Sequence, residues 1–221
     1  MKSSQRSGDE KEMIRARRSF LSKDHYLFLR NRLNEIIDEL SVESMVDLGC
    51  GEGYYTGSFN VQEKIGIDLS KEALKIASKH DKRTLYVLKN IFELPLEDSC
   101  TDLVTTVFAP VSREIVRILK DKGHFLLVRP DKRHLYELKE AVYEHPYLNT
   151  VEDVEIRGMR LEREEKISST VLLKNDELID LFKMTPYYHK TSPQDLNKLN
   201  DVDELKVSFS FIIDLYIKEQ S

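Results

Sequence analysis

Three glycines at alternate positions, Gly49, Gly51 and Gly53, follow directly on the short apolar run Met45-Val46-Asp47-Leu48. A strand that empties into such a loop uses positive φ and close backbone approach, which glycine supplies at least cost. The next apolar run, Ile65-Gly66-Ile67-Asp68, ends in a carboxylate 21 residues after Asp47. Strand-like runs at 85–88, 103–108 and 125–128 alternate with helical stretches at 70–80, 111–120 and 132–144. That alternation predicts right-handed βαβ crossovers and a parallel sheet.

Both flanks extend the pattern. Residues 8–21 read as a helix start with Asp9 as its cap, and 24–40 as a second helix. The latter carries Tyr26, Leu29, Leu33, Ile36, Ile37 and Leu40 on one stripe. Beyond 150, residues 154–173 look extended, and Asn175 is expected to cap a short helix ending before Met184-Thr185-Pro186. From 205 to 217 every odd residue is apolar, a period of two over thirteen residues. The expected fold is α/β and Rossmann-like: a mostly parallel seven-stranded sheet, an antiparallel C-terminal strand, and helices on both faces. Residues 1–40 are read as an N-terminal helical segment and 41–221 as the main domain.

At 221 residues the chain can bury a core without disulfides. Cys50 and Cys100 form no CxxC pair, so no metal site is expected and a reduced, cytoplasmic setting fits. No apolar run approaches the ~18 residues of a spanning helix, and residues 1–20 are too charged for a signal peptide, so no membrane role is expected. Net charge is −5, but unevenly placed: residues 1–30 and 113–139 are each locally +4, whereas 150–180 is −4. The overall sign argues against nucleic acid, while the two basic stretches leave room for it.

The loop Asp47-Leu-Gly49-Cys-Gly51-Glu-Gly53 follows a strand and is read as preceding a helix, the context of a nucleotide loop. A dinucleotide site would need its third glycine at position 54, which is Tyr54, and Tyr54-Tyr55 leave little room for a pyrophosphate. Asp68 is placed for ribose hydroxyls. Asp47 suits a cationic ligand end. S-adenosyl-L-methionine has a ribose, an adenine, a sulfonium and an amino group but no phosphate, and fits each of these features.

The run Val46–Tyr55 resembles the first motif of class I adenosylmethionine-dependent methyltransferases, and Leu94-Pro95-Leu96 before Asp102 and Glu114–Lys120 before Gly123 resemble their later motifs. Gly8-Asp9, Glu12-Met13, Ala16-Arg17-Arg18, Phe20-Leu21 and His25-Tyr26 are more specific, together with Phe108-Ala109-Pro110, Arg133-His134-Leu135, Glu137-Leu138-Lys139 and Met184-Thr185-Pro186. In this order they resemble the bacterial 23S rRNA guanine-N1 methyltransferases, with Asp24 where that family usually has glycine. Members of that family begin with a zinc module on four Cys/His ligands, which this sequence does not include.

The resemblance implies methyl transfer to guanine N1 in a 23S ribosomal RNA hairpin, with Tyr26, Gly51, Glu52 and His134 contacting the cofactor. Gly49, Asp47 and Asp68 join them from the loop reading, and Asn90, after the third strand, is expected near the adenine. Phe108 ends the fourth strand, where this fold holds the methyl acceptor, and is expected to stack on the base. Arg17 and Arg18 are candidate phosphate contacts. No carboxylate lies at the Phe108-Ala109-Pro110 turn, so no general base is named. A homodimer is possible on this reading. Two other functions fit the same residues: a small-molecule methyltransferase, or a catalytically idle cofactor- and RNA-binding protein.

Overall fold

The computed structural model describes the backbone of residues 2–220 and the side chains of 11–220. Seven strands form one sheet in the order β3-β2-β1-β4-β5-β7-β6. They are β1 (Ser44–Leu48), β2 (Glu63–Asp68), β3 (Thr84–Leu88), β4 (Thr101–Val107), β5 (Leu119–Pro130), β6 (Met159–Lys174) and β7 (Glu204–Lys218). The first five pair in parallel, and the C-terminal strands are antiparallel. The α/β, Rossmann-like expectation therefore holds. Among the described residues no helix is long and apolar enough to cross a membrane.

The chain divides into two compact units. One comprises Met1–Phe28, Pro130–Val151 and Ser168–Phe211; the other comprises Leu29–Arg129, Glu152–Ile167 and Ile212–Ser221. The second holds β1–β5 with α2 (Leu27–Leu40) from Leu29 on, α3 (Lys71–His80) and α4 (Glu114–Ile118). Its core joins Val46, Leu48, Val104, Phe125 and Leu127 of the sheet to Ile115 and Ile118 of α4. Helix α3 starts where Ser70 Oγ accepts from Ala73 N–H at 3.3 Å, and it buries Ala73, Leu74 and Ala77. The first unit packs α1 (Lys2–Leu21) on α6 (Asn175–Lys183), with Phe20, Leu138, Leu181, Phe182 and Phe209 buried.

Several local expectations are corrected. Helix α1 begins at Lys2, so Asp9 is interior to it rather than its cap. The second helix starts at Leu27, because Asp24 takes a left-handed turn (φ 60°) and Leu27 N–H closes back on Asp24 O. No α-helix follows the glycine loop; a 3-10 turn, Thr56–Ser58, suffices in the short path from β1 to β2. Helix α4 spans only Glu114–Ile118, since β5 already begins at Leu119 and meets β4 through an irregular register between Thr101 and Leu103. The helix expected at 132–144 is confined to α5 (Tyr136–Val142), after Leu135 turns left-handed at φ 58°. Asn175 does not cap α6: its amide donates to Leu199 O and Val202 O, while Glu177 accepts from Lys174 N–H at 2.9 Å. In β7 the alternation survives as far as Phe211; from there to Tyr216 both faces are buried.

Candidate active site

The C-terminal ends of β1, β2, β3 and β4 lie side by side in one unit, where open α/β sheets bind ligands. Gly49, Gly51 and Gly53 all take positive φ there (80°, 55° and 78°). Gly49 is doubly required, since a Cβ on it would stand 2.5 Å from the Ala109 Cβ. The loop after β1 thus touches the turn after β4. Asp68 Oδ2 accepts from Gly51 N–H at 2.8 Å and Oδ1 from Ser70 N–H at 2.7 Å. Each oxygen keeps a second lone pair, sufficient for a ribose diol.

Asp47 lies beneath the loop, 2% exposed. Its carboxylate accepts from the Thr56 hydroxyl and, at 2.8 Å, from the Thr105 hydroxyl, which ties β1 to β4 and to the 3-10 turn. Lys64 supports the same turn from below, donating to Thr56 O and Phe59 O at 3.0 Å each; burial lowers its pKa. Glu52 is half-buried at the loop tip. Tyr86 was not legible as a site residue. Its ring lies across Gly66 and its hydroxyl beside Gly53, so both positions exclude a Cβ.

Beyond β3, Asn90 Oδ1 accepts from Phe92 N–H at 3.1 Å. Phe92 is exposed, and Leu69, directly after Asp68, is 67% exposed. Apolar side chains left open past two adjacent strand ends are a surface a flat ring can cover. Their signal in the sequence was only their position after Asp68 and Asn90. Phe108, expected as the last residue of the fourth strand, lies just past β4 because its backbone turns into the left-handed region (φ 63°); it is 38% exposed, with its N–H on Val128 O at 3.0 Å and its ring 6.4 Å from that of Tyr55. Such backbone in a bulky residue costs of order 1–3 kcal/mol and tends to cluster at functional sites.

Four expected residues belong to the other unit. Tyr26 is buried with its ring edge-on to Phe20, Phe209 and Phe211, and burial pushes its phenol pKa well up. His134 is 8% exposed, packed 4.6 Å from Phe211, with Nδ1 accepting from Ser210 N–H at 3.3 Å. Desolvation lowers its pKa to about 3, so it is neutral with its proton on Nε2. Arg17 is half-buried beside Tyr26, whereas Arg18 is exposed on the same helix.

A family model described as "Methyltransferase domain" matches residues 40–182. The chain belongs to the methyltransferase domain family. It is a class I S-adenosyl-L-methionine-dependent methyltransferase, and the glycine-lined cradle beside Asp68 fits that cofactor. This methyltransferase is 27% identical over 94% of its length to the Streptomyces fradiae 23S rRNA (guanine(748)-N(1))-methyltransferase, covering 80% of that protein. It is 29% identical over 53% of its length to the malonyl-acyl-carrier-protein O-methyltransferase of Hamiltonella defensa, covering 51% of it. The solved YcgJ protein of Bacillus subtilis shares the fold, with a TM-score of 0.56 and 18% identity over 86% of this chain and 98% of that one.

Proposed function

We propose that this methyltransferase acts on N1 of a guanine in a hairpin of 23S ribosomal RNA. The observation that carries this reading is Phe108, a strained, half-exposed aromatic just past β4, one residue from the Ala109–Gly49 contact. An extruded base can stack there beside the cofactor loop, a contact worth ~1–3 kcal/mol. The likeness to the Streptomyces fradiae enzyme, spread over nearly the whole chain, supports the same substrate class.

On this reading Asp68 binds the ribose hydroxyls, and the backbone of Gly49 and Gly51 lines the methionine portion. Leu69 and Phe92 flank the adenine, whose edge Asn90 approaches. Asp47, buried on two threonines, holds the loop in shape. The bound cofactor supplies an already activated methyl group. What the protein adds is position, several of the ~7–11 kcal/mol that well-oriented reactants can gain, less a few spent extruding the base.

The test is methyl incorporation from labelled cofactor into unmodified large-subunit RNA beside a panel of small metabolites, with N1-methylguanine scored by mass spectrometry. Label in a metabolite alone would favour the small-molecule reading. Cofactor binding with no acceptor labelled would favour an idle binding protein.

A further inference from the structure

Tyr147 is the exposed end of a buried polar network. It is 49% exposed, yet one face of its ring lies 4.2 Å from the ammonium of Lys139, itself 1% exposed. The same ammonium donates to Tyr147 O at 3.1 Å and to Asn149 Oδ1 at 2.6 Å. The ring of Tyr187 stands edge-on to that of Tyr147 at 6.3 Å, and its hydroxyl donates to Asn149 Oδ1 at 2.7 Å. All of these residues belong to the unit that does not hold the glycine loop.

Two properties follow. The ring and its backbone are already fixed, so a ligand laid on the ring costs little further ordering. The ammonium also draws π density toward the inner face and leaves the outer face electron-poor. Burial lowers the Lys139 pKa to about 8, which still leaves the group mostly charged at neutral pH. A fixed, electron-poor, water-facing ring suits an electron-rich flat ligand, and a purine is one. Exposed Lys132 and Arg133 run alongside, since Asn149 N–H donates to Lys132 O at 2.9 Å. Those cations suit flanking phosphates. Glu140 and Glu144 are exposed on the same stretch, so stacking rather than charge must lead.

We propose that the outer face of Tyr147 stacks an unpaired purine base of the RNA substrate, with Lys132 and Arg133 meeting its neighbouring phosphates. This rests on the ribosomal RNA reading and adds a substrate contact made by the other unit. Loop bases are the natural occupants, because their faces are open, whereas a paired stem hides base faces within the stack.

The chain has no tryptophan, so Tyr147→Trp places a single indole at the site. Its emission should be strongly quenched by the 23S hairpin and unchanged by a fully paired duplex of equal length. Hairpin affinity should fall about 5–100-fold in Tyr147→Leu and stay within about twofold in Tyr147→Phe. The loss in Tyr147→Leu should be the same factor at about 50 and 200 mM salt, because stacking releases no counterions. Cofactor affinity should not change in any of the three variants. Unchanged hairpin affinity in Tyr147→Leu, or indole emission that ignores a bound hairpin, overturns the stacking site while the RNA reading stands. Equal quenching by the paired duplex overturns it as well. No binding of the hairpin by the wild-type protein overturns the RNA reading, and this inference with it. Should Tyr147→Leu disturb the fold, the indole emission decides alone.

Discussion

At the scale of single residues, the cofactor loop depends on one position that cannot carry a side chain. Gly49→Ala meets both a positive φ and the Ala109 methyl at 2.5 Å, so the variant should lose at least ~1–3 kcal/mol of stability. A thermal melt superimposable on wild type would refute that. Asp68→Ala should weaken adenosylmethionine binding by ~1–3 kcal/mol, the worth of charge-assisted hydrogen bonds, and unchanged affinity by calorimetry would remove Asp68 from the site. His134 gives a prediction in pH. Its folded pKa, about 3, lies below the ordinary value near 6.5, so below pH ~6.5 the unfolded chain binds the proton and the native chain does not. Stability from this group should therefore fall as pH drops from 6.5 toward 3. Nitrogen NMR should show neutral His134 with Nδ1 unprotonated at pH 5; a charged ring there contradicts the burial argument.

At the scale of elements, α5 ends in a cage that no helical periodicity announces. Lys139, 1% exposed, donates to Tyr147 O at 3.1 Å and Asn149 Oδ1 at 2.6 Å, with its ammonium over the rings of Tyr147 and Tyr187 at 4.2 and 4.6 Å. Asn149 passes the contact on, donating to Asp131 O and His134 O and accepting from the Tyr187 hydroxyl. One buried cation thereby pins the 143–149 segment to α5. Desolvation lowers its pKa to about 8, below the ~10.4 of an unfolded lysine. Between those values the unfolded chain binds more protons, so this group makes stability rise with pH. Denaturant midpoints at pH 8 and 9.5 should show a rise in wild type that is smaller in Lys139→Met; equal slopes would mean that Lys139 titrates normally.

At the scale of the whole molecule, a net charge of −5 conceals two stretches of local +4. If these hold an RNA hairpin by its phosphates, binding should be weak and fall by roughly ten- to hundredfold between 50 and 200 mM salt. A hairpin titration at the two concentrations decides it; tight, salt-insensitive binding contradicts a phosphate-led interface.

What the sequence determined by itself was the succession of parallel strands, the loop and the carboxylate that ends β2. Each rests on local chemistry: a period of two or 3.6, a backbone conformation only glycine reaches easily, a residue at a strand end. Element lengths were less legible, since the 3-10 turn after the loop and the short α4 reflect how little chain remains before the next strand must begin. Only the tertiary structure decided which polar groups are buried and what meets them. Tyr86 lies against Gly53, Asp47 joins Thr105, and Arg129 finds Asp214, 85 residues further along. Such pairings depend on which strands become neighbours, and desolvation at those junctions sets the charge state of His134 and Lys139.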